Sequence, residues 1–320
     1  MNRRNFLQTA AFTSTATTLP AIEPFRRKSH KFSGLSMTSY SMKPHMKWWW
    51  GKETEGKLDM LGFLDYCAEH ELDAAEITSY FFQDPLTKDY INQVKRRAHL
   101  NGLDISGAAM GNNFAFKPGS PENLSHMKYF RKWIDHFADM GATVVRVFAG
   151  KKIPKGQSDE QTIHHCIANL ETACEYASKK GIILGLENHD FVKKIDYLLA
   201  IIKRLDTPWL GVIWDSANLS PTPFPYMELE RIAPYAVTAQ IKVMTKVNGK
   251  EVPADYARLL NILRRANYRG YIVFEYEEKE DPYTEIPEHI LELRQSIEIS
   301  DKNCSSTKTS ISRLGKSTGG

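Results

Sequence analysis

The stretch Ile183-Leu184-Gly185-Leu186-Glu187-Asn188-His189-Asp190 begins as an apolar run and stops at a carboxylate, an amide, an imidazole and a second carboxylate. Its first half has the length and apolar character of a strand buried on both faces. Seven further segments read as strands: 34–41, 74–81, 105–111, 143–150, 210–217, 236–243 and 271–277. Between them lie patterns of helical period, such as KLDMLGFLDYCAEHEL, TIHHCIANLETACEYASKK and ADYARLLNILRRANYRG; the last two run to Lys179-Lys180-Gly181 and Arg269-Gly270 as stop signals. Strand–helix units of roughly 30 residues imply a parallel sheet, and eight of them is the number that closes a (β/α)8 TIM barrel. An open doubly wound sheet usually carries a Gly-rich phosphate loop after its first strand, and SYSMKPHMKWWWGKE is nothing like one. The expected fold class is therefore α/β, a single barrel over residues 31–299.

The chain has 320 residues, 42% of them hydrophobic and 25% charged, enough to fill one large core. A net charge of +4, with Lys and Arg scattered among Asp and Glu, offers no electrostatic footprint for nucleic acid. No run approaches the roughly 18 apolar residues of a membrane span. Cys67, Cys166, Cys174 and Cys304 show no metal or redox spacing and read as free thiols. At the N-terminus, Arg3-Arg4-Asn5-Phe6-Leu7 precedes a mildly apolar stretch ending at Leu19-Pro20-Ala21, the pattern of a twin-arginine export signal. Residues 1–30 are accordingly expected to be signal and linker, and the mature protein to be periplasmic. The tail 300–320, rich in Ser, Thr, Lys and Gly, has little to bury and is expected to be disordered.

In a barrel, functional groups stand at the C-terminal ends of the strands. The last four strands place Glu187, Asp215, Gln240 and Glu275 near those ends, in a spacing that brings all four to one mouth. Taken singly, Asp215 before Ser216-Ala217-Asn218 reads equally as a helix cap, and Glu275 in Glu275-Tyr276-Glu277-Glu278 as a solvated edge. Together in a partly desolvated pocket such carboxylates repel unless a cation sits among them. The two-residue strand period puts Glu187 with His189, Gln240 with Lys242, and Glu275 with Glu277 on shared faces.

G-L-E-N-H, W-D-x-x-N, Q-x-K and G-Y-I-V-F-E, in this order, resemble the xylose isomerase-like barrels of the sugar phosphate isomerase/epimerase superfamily. The resemblance spans about Leu35 to Ile299. It implies that Glu187, Asp215, Gln240 and Glu275 are metal ligands, and that Glu187 and Glu275 double as the acid/base pair. The sequence departs from the commonest pattern in two places, Gln240 where many members have His and Asn218 where many have a second His. Three carboxylates and an amide oxygen are hard donors, which favours Mn2+ or Mg2+, with Co2+ or Zn2+ also compatible.

Other residues carry two readings each. Arg146 contacts substrate or pairs with Glu76 or Glu187; Lys242 polarises a carbonyl; His189 contacts substrate or is a satisfied loop histidine. Glu76 contacts substrate or supports a ligand. Asn113, with Asn112, bonds hydroxyls or shapes a turn. Trp49, within Trp48-Trp49-Trp50, stacks on a sugar or packs on the barrel rim, where one or two of the three rings are expected to be buried.

The resemblance implies a metal-dependent sugar isomerase or epimerase that removes a proton beside a carbonyl and passes through an enediolate. A lyase or dehydratase acting on a keto-sugar, keto-glycoside or dehydroshikimate-like substrate is the near alternative, and a non-catalytic sugar binder the more distant one. Apurinic endonucleases share the fold but need a His-rich zinc cluster and a basic face. The expected partner is a small carbohydrate, and a homo-oligomer is compatible with the barrel.

Overall fold

A computed structural model describes residues 22–25, 27 and 31–314, with side chains to 302. Eight parallel strands close a barrel: β1 (Leu35–Thr38), β2 (Ala74–Thr78), β3 (Asp104–Ala109), β4 (Val144–Val147), β5 (Ile183–Glu187), β6 (Leu210–Asp215), β7 (Ala236–Lys242) and β8 (Ile272–Glu275). Strand β1 pairs in parallel with both β2 and β8, which closes the ring. Seven of the eight strands lie inside segments the sequence marked, and β3 begins one residue before its own.

The helices alternate with the strands: α1 (Met60–Glu69), α2 (Lys88–Leu100), α3 (Pro121–Met140), α4 (Asp159–Ser178), α5 (Ile195–Ile202), α6 (Pro225–Ile232), α7 (Tyr256–Arg265) and α8 (Pro282–Leu314). Local chemistry sets their ends. A capping box between Ser158 and Gln161 starts α4, and Gly181 (φ +70°) turns the chain after it. Helix α7 stops at Arg265, earlier than its Arg269-Gly270 signal, because Asn267 takes the left-handed turn at φ +56°.

Strand β6 is buried at every position and β5 at all but its first, as a sheet covered on both faces requires. Inside the barrel there is little room. A Cβ on Gly185 would lie 2.3 Å from the Ile213 side chain, so Gly185 lets β6 fill the space beneath Glu187. Above this packing runs a polar column that starts with Ser36 Oγ against Ser106 Oγ at 2.7 Å.

Two expectations are corrected. Residues 22–25 and 27 belong to the barrel and not to a linker: Ile22 is buried, Phe25 N donates to Pro234 O, and Arg27 Nη2 donates to Ala236 O at 2.8 Å. The Arg27 guanidinium also lies over the rings of Phe25 and Tyr268, beneath the starts of β7 and β8. The chain beyond Ser300 is helical as far as Leu314, because buried Arg264 on α7 bonds Ser300 and Asp301 and so fastens α8 past the expected boundary. The twin-arginine pattern lies outside the described residues. Cys67, Cys166 and Cys174 are buried free thiols, and no described helix is long and apolar enough to cross a membrane.

A chain beginning at Ile22 is expected to match the longer chain in urea unfolding. One beginning at Lys31 should lose about 2–4 kcal/mol, because it gives up the buried Ile22 side chain, the Phe25 packing and the Arg27 hydrogen bond.

Candidate active site

The strand ends converge as their spacing requires. Glu187 ends β5, Asp215 ends β6, Gln240 and Lys242 lie near the end of β7, and Glu275 ends β8; all five are buried. Asn218 links the first two, its Nδ2 donating to Glu187 Oε1 and to Asp215 Oδ2, both at 2.8 Å. Asp215 Oδ1 in turn accepts the backbone amides of Ala217 and Asn218, the cap that the sequence offered as an alternative role. Asp215 thus serves as turn former with one oxygen and as site carboxylate with the other.

Asn188, which follows Glu187, points away from the barrel axis and fastens the two loops together. Its Nδ2 donates to the carbonyls of Asp215 and Asn218, and its Oδ1 accepts from Asp215 N at 2.9 Å.

Two cations serve the carboxylates. Arg146 on β4 approaches Glu187 Oε2 with Nη1 at 3.3 Å, donates through Nη2 to Tyr80 OH at 3.0 Å, and lies over the Phe148 ring. Burial works against its charge, but Tyr80, Glu187, Glu275 and Glu76 raise its pKa above the ordinary value. Lys242 Nζ lies 3.3 Å from Asp215 and 3.5 Å from Glu275, and pairs with Glu277. Burial disfavours this ammonium too, yet the same three carboxylates hold its pKa well above the usual lysine value.

Glu76 lies lower, where its Oε1 accepts from Gln240 Nε2 at 2.8 Å. It does not line the cavity, which corrects the reading of it as a substrate contact: a donor on β7 claims it beneath the site floor. Burial pushes its carboxyl up, opposed by Arg146, Gln240 and Thr38. Burial likewise raises Glu275 well above the carboxylate range, against Lys242 and with the help of Glu277, Asp215 and Glu187.

A cavity of about 650 Å³ opens over this floor, lined at its base by Arg146, Glu187, Asn218, Lys242, Glu275 and Glu277. His189 lines it beside Phe148, with Nδ1 3.1 Å from Asp190 Oδ2. Asn113 lines it while its Oδ1 accepts from Ala115 N, and Asn112 holds the backbone of Phe148 by two hydrogen bonds. Trp49 and Trp50 line it as well. None of the three adjacent tryptophans is buried: Trp48 and Trp49 are half-buried and Trp50 is exposed.

Among the described residues, no three His, Cys, Asp or Glu side chains gather closely enough to hold an ion; Asn218 and Lys242 stand between the carboxylates. The donor set nevertheless fits a divalent cation on two counts. Glu187 Oε2 and Gln240 Oε1 are buried acceptors that receive no hydrogen bond. The buried carboxylates Glu76, Glu187, Asp215 and Glu275 face two buried cations, Arg146 and Lys242, so two negative charges remain to be balanced by one divalent ion or by two protons.

The sequence profile of the xylose isomerase-like TIM barrel matches residues 64–295. The chain belongs to this family. No curated protein sequence matches it. Among solved structures it is similar to a 3-keto-D-glucoside 4-epimerase from E. coli, with 18% identity over 78% of this chain and 99% of that one, and a TM-score of 0.59. An L-ribulose 3-epimerase aligns over 86% and 98% with 14% identity and a TM-score of 0.66. A xylose isomerase-like TIM barrel protein from Mycobacterium smegmatis, in complex with magnesium, aligns over 85% and 99% with 17% identity and a TM-score of 0.63. At these identities the likeness shows the fold.

The sequence pattern passed over Tyr80 and Asn188. Tyr80 was within reach, since 76, 78 and 80 share one face of an extended strand. Asn188 sits on the face that a strand reading assigns to packing. Replacing Asn188 by Ala strands two carbonyls and one amide in a buried turn, and urea titration should show a loss of about 3 kcal/mol.

Proposed function

We propose that the protein is a divalent-metal-dependent sugar isomerase or epimerase that moves a proton at a carbon beside a carbonyl. The observation that carries this reading is a pair of buried carboxyl groups, Glu187 and Glu275, on strands three apart in the barrel wall. Each is held by its own cation on the floor of one cavity. A binding protein has no need of two buried carboxyls kept at such electrostatic cost. The sugar epimerases among the similar structures support the same class.

Glu187 is the base. Its Oε2 receives no hydrogen bond and is held by the ion pair with Arg146 Nη1 at 3.3 Å, which fixes its orientation. Glu275, on the other side of the floor beside Lys242, is the second member of the acid/base pair and returns the proton. Return of the proton to the opposite face of the same carbon gives the epimer, and return to the neighbouring carbon gives the isomer. Lys242, beside Glu275, places positive charge where an enediolate oxygen develops. Glu187, Asp215, Gln240 and Glu275 would hold Mn2+ or Mg2+, which supplies Lewis acidity to the carbonyl and its neighbouring hydroxyl. In this proposal the twin-arginine pattern sends the folded, metal-loaded enzyme to the periplasm.

One observation favours elimination as a second reading. The His189–Asp190 pair on the cavity wall offers a proton to a leaving group β to the carbanion. A product of unchanged mass supports the isomerase or epimerase, and loss of water or an alcohol supports the lyase.

In D2O with Mn2+ and candidate keto-sugars, the wild type should incorporate deuterium at carbon, while Glu275→Gln abolishes exchange and retains sugar binding. Absence of exchange with every sugar that binds would leave only a binding protein. Independently, Mn2+ added to metal-stripped protein should raise Tm by about 5 °C or more, and Glu187→Ala or Asp215→Ala should remove that shift.

A further inference from the structure

The proton transfer proposed above uses only one side of the cavity. Its floor carboxylates and Lys242 come from β5 to β8, with Arg146 from β4, whereas the opposite wall is built by the loops after β1 to β4 and by the start of α3, and it is aromatic. A cavity of about 650 Å³ lies in the range that encloses drug-sized ligands, roughly 300–1,000 Å³, and a single sugar ring seated between Glu187 and Glu275 leaves much of it open.

Trp50 dominates that wall, and the chain holds it there against its local preference. It forms the tip of a two-residue hairpin turn with Gly51, both in the left-handed region at φ +54° and +79°. Such turns normally take Asn, Asp or Gly, and a bulky side chain in this conformation is costly. Trp50 stacks on Tyr80, with ring centroids 4.4 Å apart and planes at 28°, yet remains 47% exposed. Gly111 leaves room for the indole: a Cβ there would lie 2.3 Å from Trp50 Cη2. A strained backbone, a stacked partner and an omitted side chain thus combine to present an indole to the cavity. Further along the wall, Phe116 and His126 form a second parallel pair, centroids 5.7 Å apart and planes at 12°. Burial and nearby Lys151 lower the His126 pKa, which keeps the ring uncharged at neutral pH.

We propose that Trp50, with Phe116 and His126, forms a second subsite that stacks an uncharged ring joined to the reacting sugar, so that the substrate is a glycoside whose sugar ring carries a ketone, and not a free sugar or a sugar phosphate. This rests on the isomerase or epimerase reading for the location of the reacting sugar. Charge argues against a phosphate handle. Among the described residues that line this wall, Lys151 is the one Lys or Arg, Lys43 lies over the Trp49 ring behind it, and Arg146 and Lys242 are already committed to Glu187, Asp215, Glu275 and Glu277. An aryl group and a second sugar share the needed chemistry, an apolar ring face against a π-system.

The test compares D-glucose, D-galactose and D-xylose with their phenyl β-glycosides and with cellobiose, lactose and xylobiose. Binding is measured by calorimetry on Glu275→Gln protein, so that failure of the catalytic reading, seen as absent deuterium exchange in the wild type, stays separate. In at least one set the phenyl glycoside or the disaccharide should bind about tenfold tighter than the free sugar. Trp50→Ala should reduce that ratio to about threefold or less, and Trp50→Phe should keep most of it. The stronger of the two arms then names the ring. Equal binding within every set, no binding by any glycoside, or a ratio that survives Trp50→Ala would overturn the proposal.

Discussion

The site rests on one electrostatic constraint: among the described residues, three carboxylates buried at the mouth of the barrel and Glu76 beneath them face two buried cations, Arg146 and Lys242. Uncompensated charge in such surroundings costs several kcal/mol per group, so most of the local architecture works to contain it. Arg146 reaches across from β4 to Glu187, Lys242 spans the gap between β6 and β8, and Asn218 ties Glu187 to Asp215. What these contacts leave over is two negative charges and two acceptors that receive no hydrogen bond, Glu187 Oε2 beside Arg146 and Gln240 Oε1. In the proposed function, proton chemistry and cation binding both draw on that remainder.

Such a floor must be rigid, because small displacements would unbalance it. Below, Ile213 and Val237 fill the space that Gly185 leaves, and Phe25 approaches Gly211 from the base of the barrel. Alongside, Asn188 locks the β5 and β6 loops by three hydrogen bonds to backbone. The opposite wall is built differently. Its rings sit on loops, on a strained hairpin tip and at the start of α3, and Tyr80 among them is tied to the floor by its hydrogen bond with Arg146. In the proposed reading, proton transfer and ring recognition are carried by separate parts of the chain.

The strands were legible because parallel strands covered on both faces leave short apolar runs, and helices of regular period separate them. The carboxylates at the strand ends were legible for the same reason, since a strand that ends in Glu or Asp breaks an otherwise apolar pattern. Local signals at the loops were used less well. Asn248-Gly249, with both residues at positive φ, turns the hairpin formed by Met244–Val247 and Lys250–Pro253, and an Asn-Gly pair is the strongest short-range sign of such a turn. The anchoring of the tail by Arg264 had no local sign at all, because the partners lie 36 and 37 residues apart.

By itself the sequence determined the eightfold strand–helix alternation and the convergence of Glu187, Asp215, Gln240 and Glu275, since period and spacing alone fix which strand ends meet. Only the tertiary structure decided the partners. Arg146 takes Glu187, Lys242 stands among Asp215, Glu275 and Glu277, and Glu76 turns to Gln240 on a strand 164 residues away. These choices depend on distances across the closed barrel and on competition among buried charges. Neither is encoded in the neighbours along the chain.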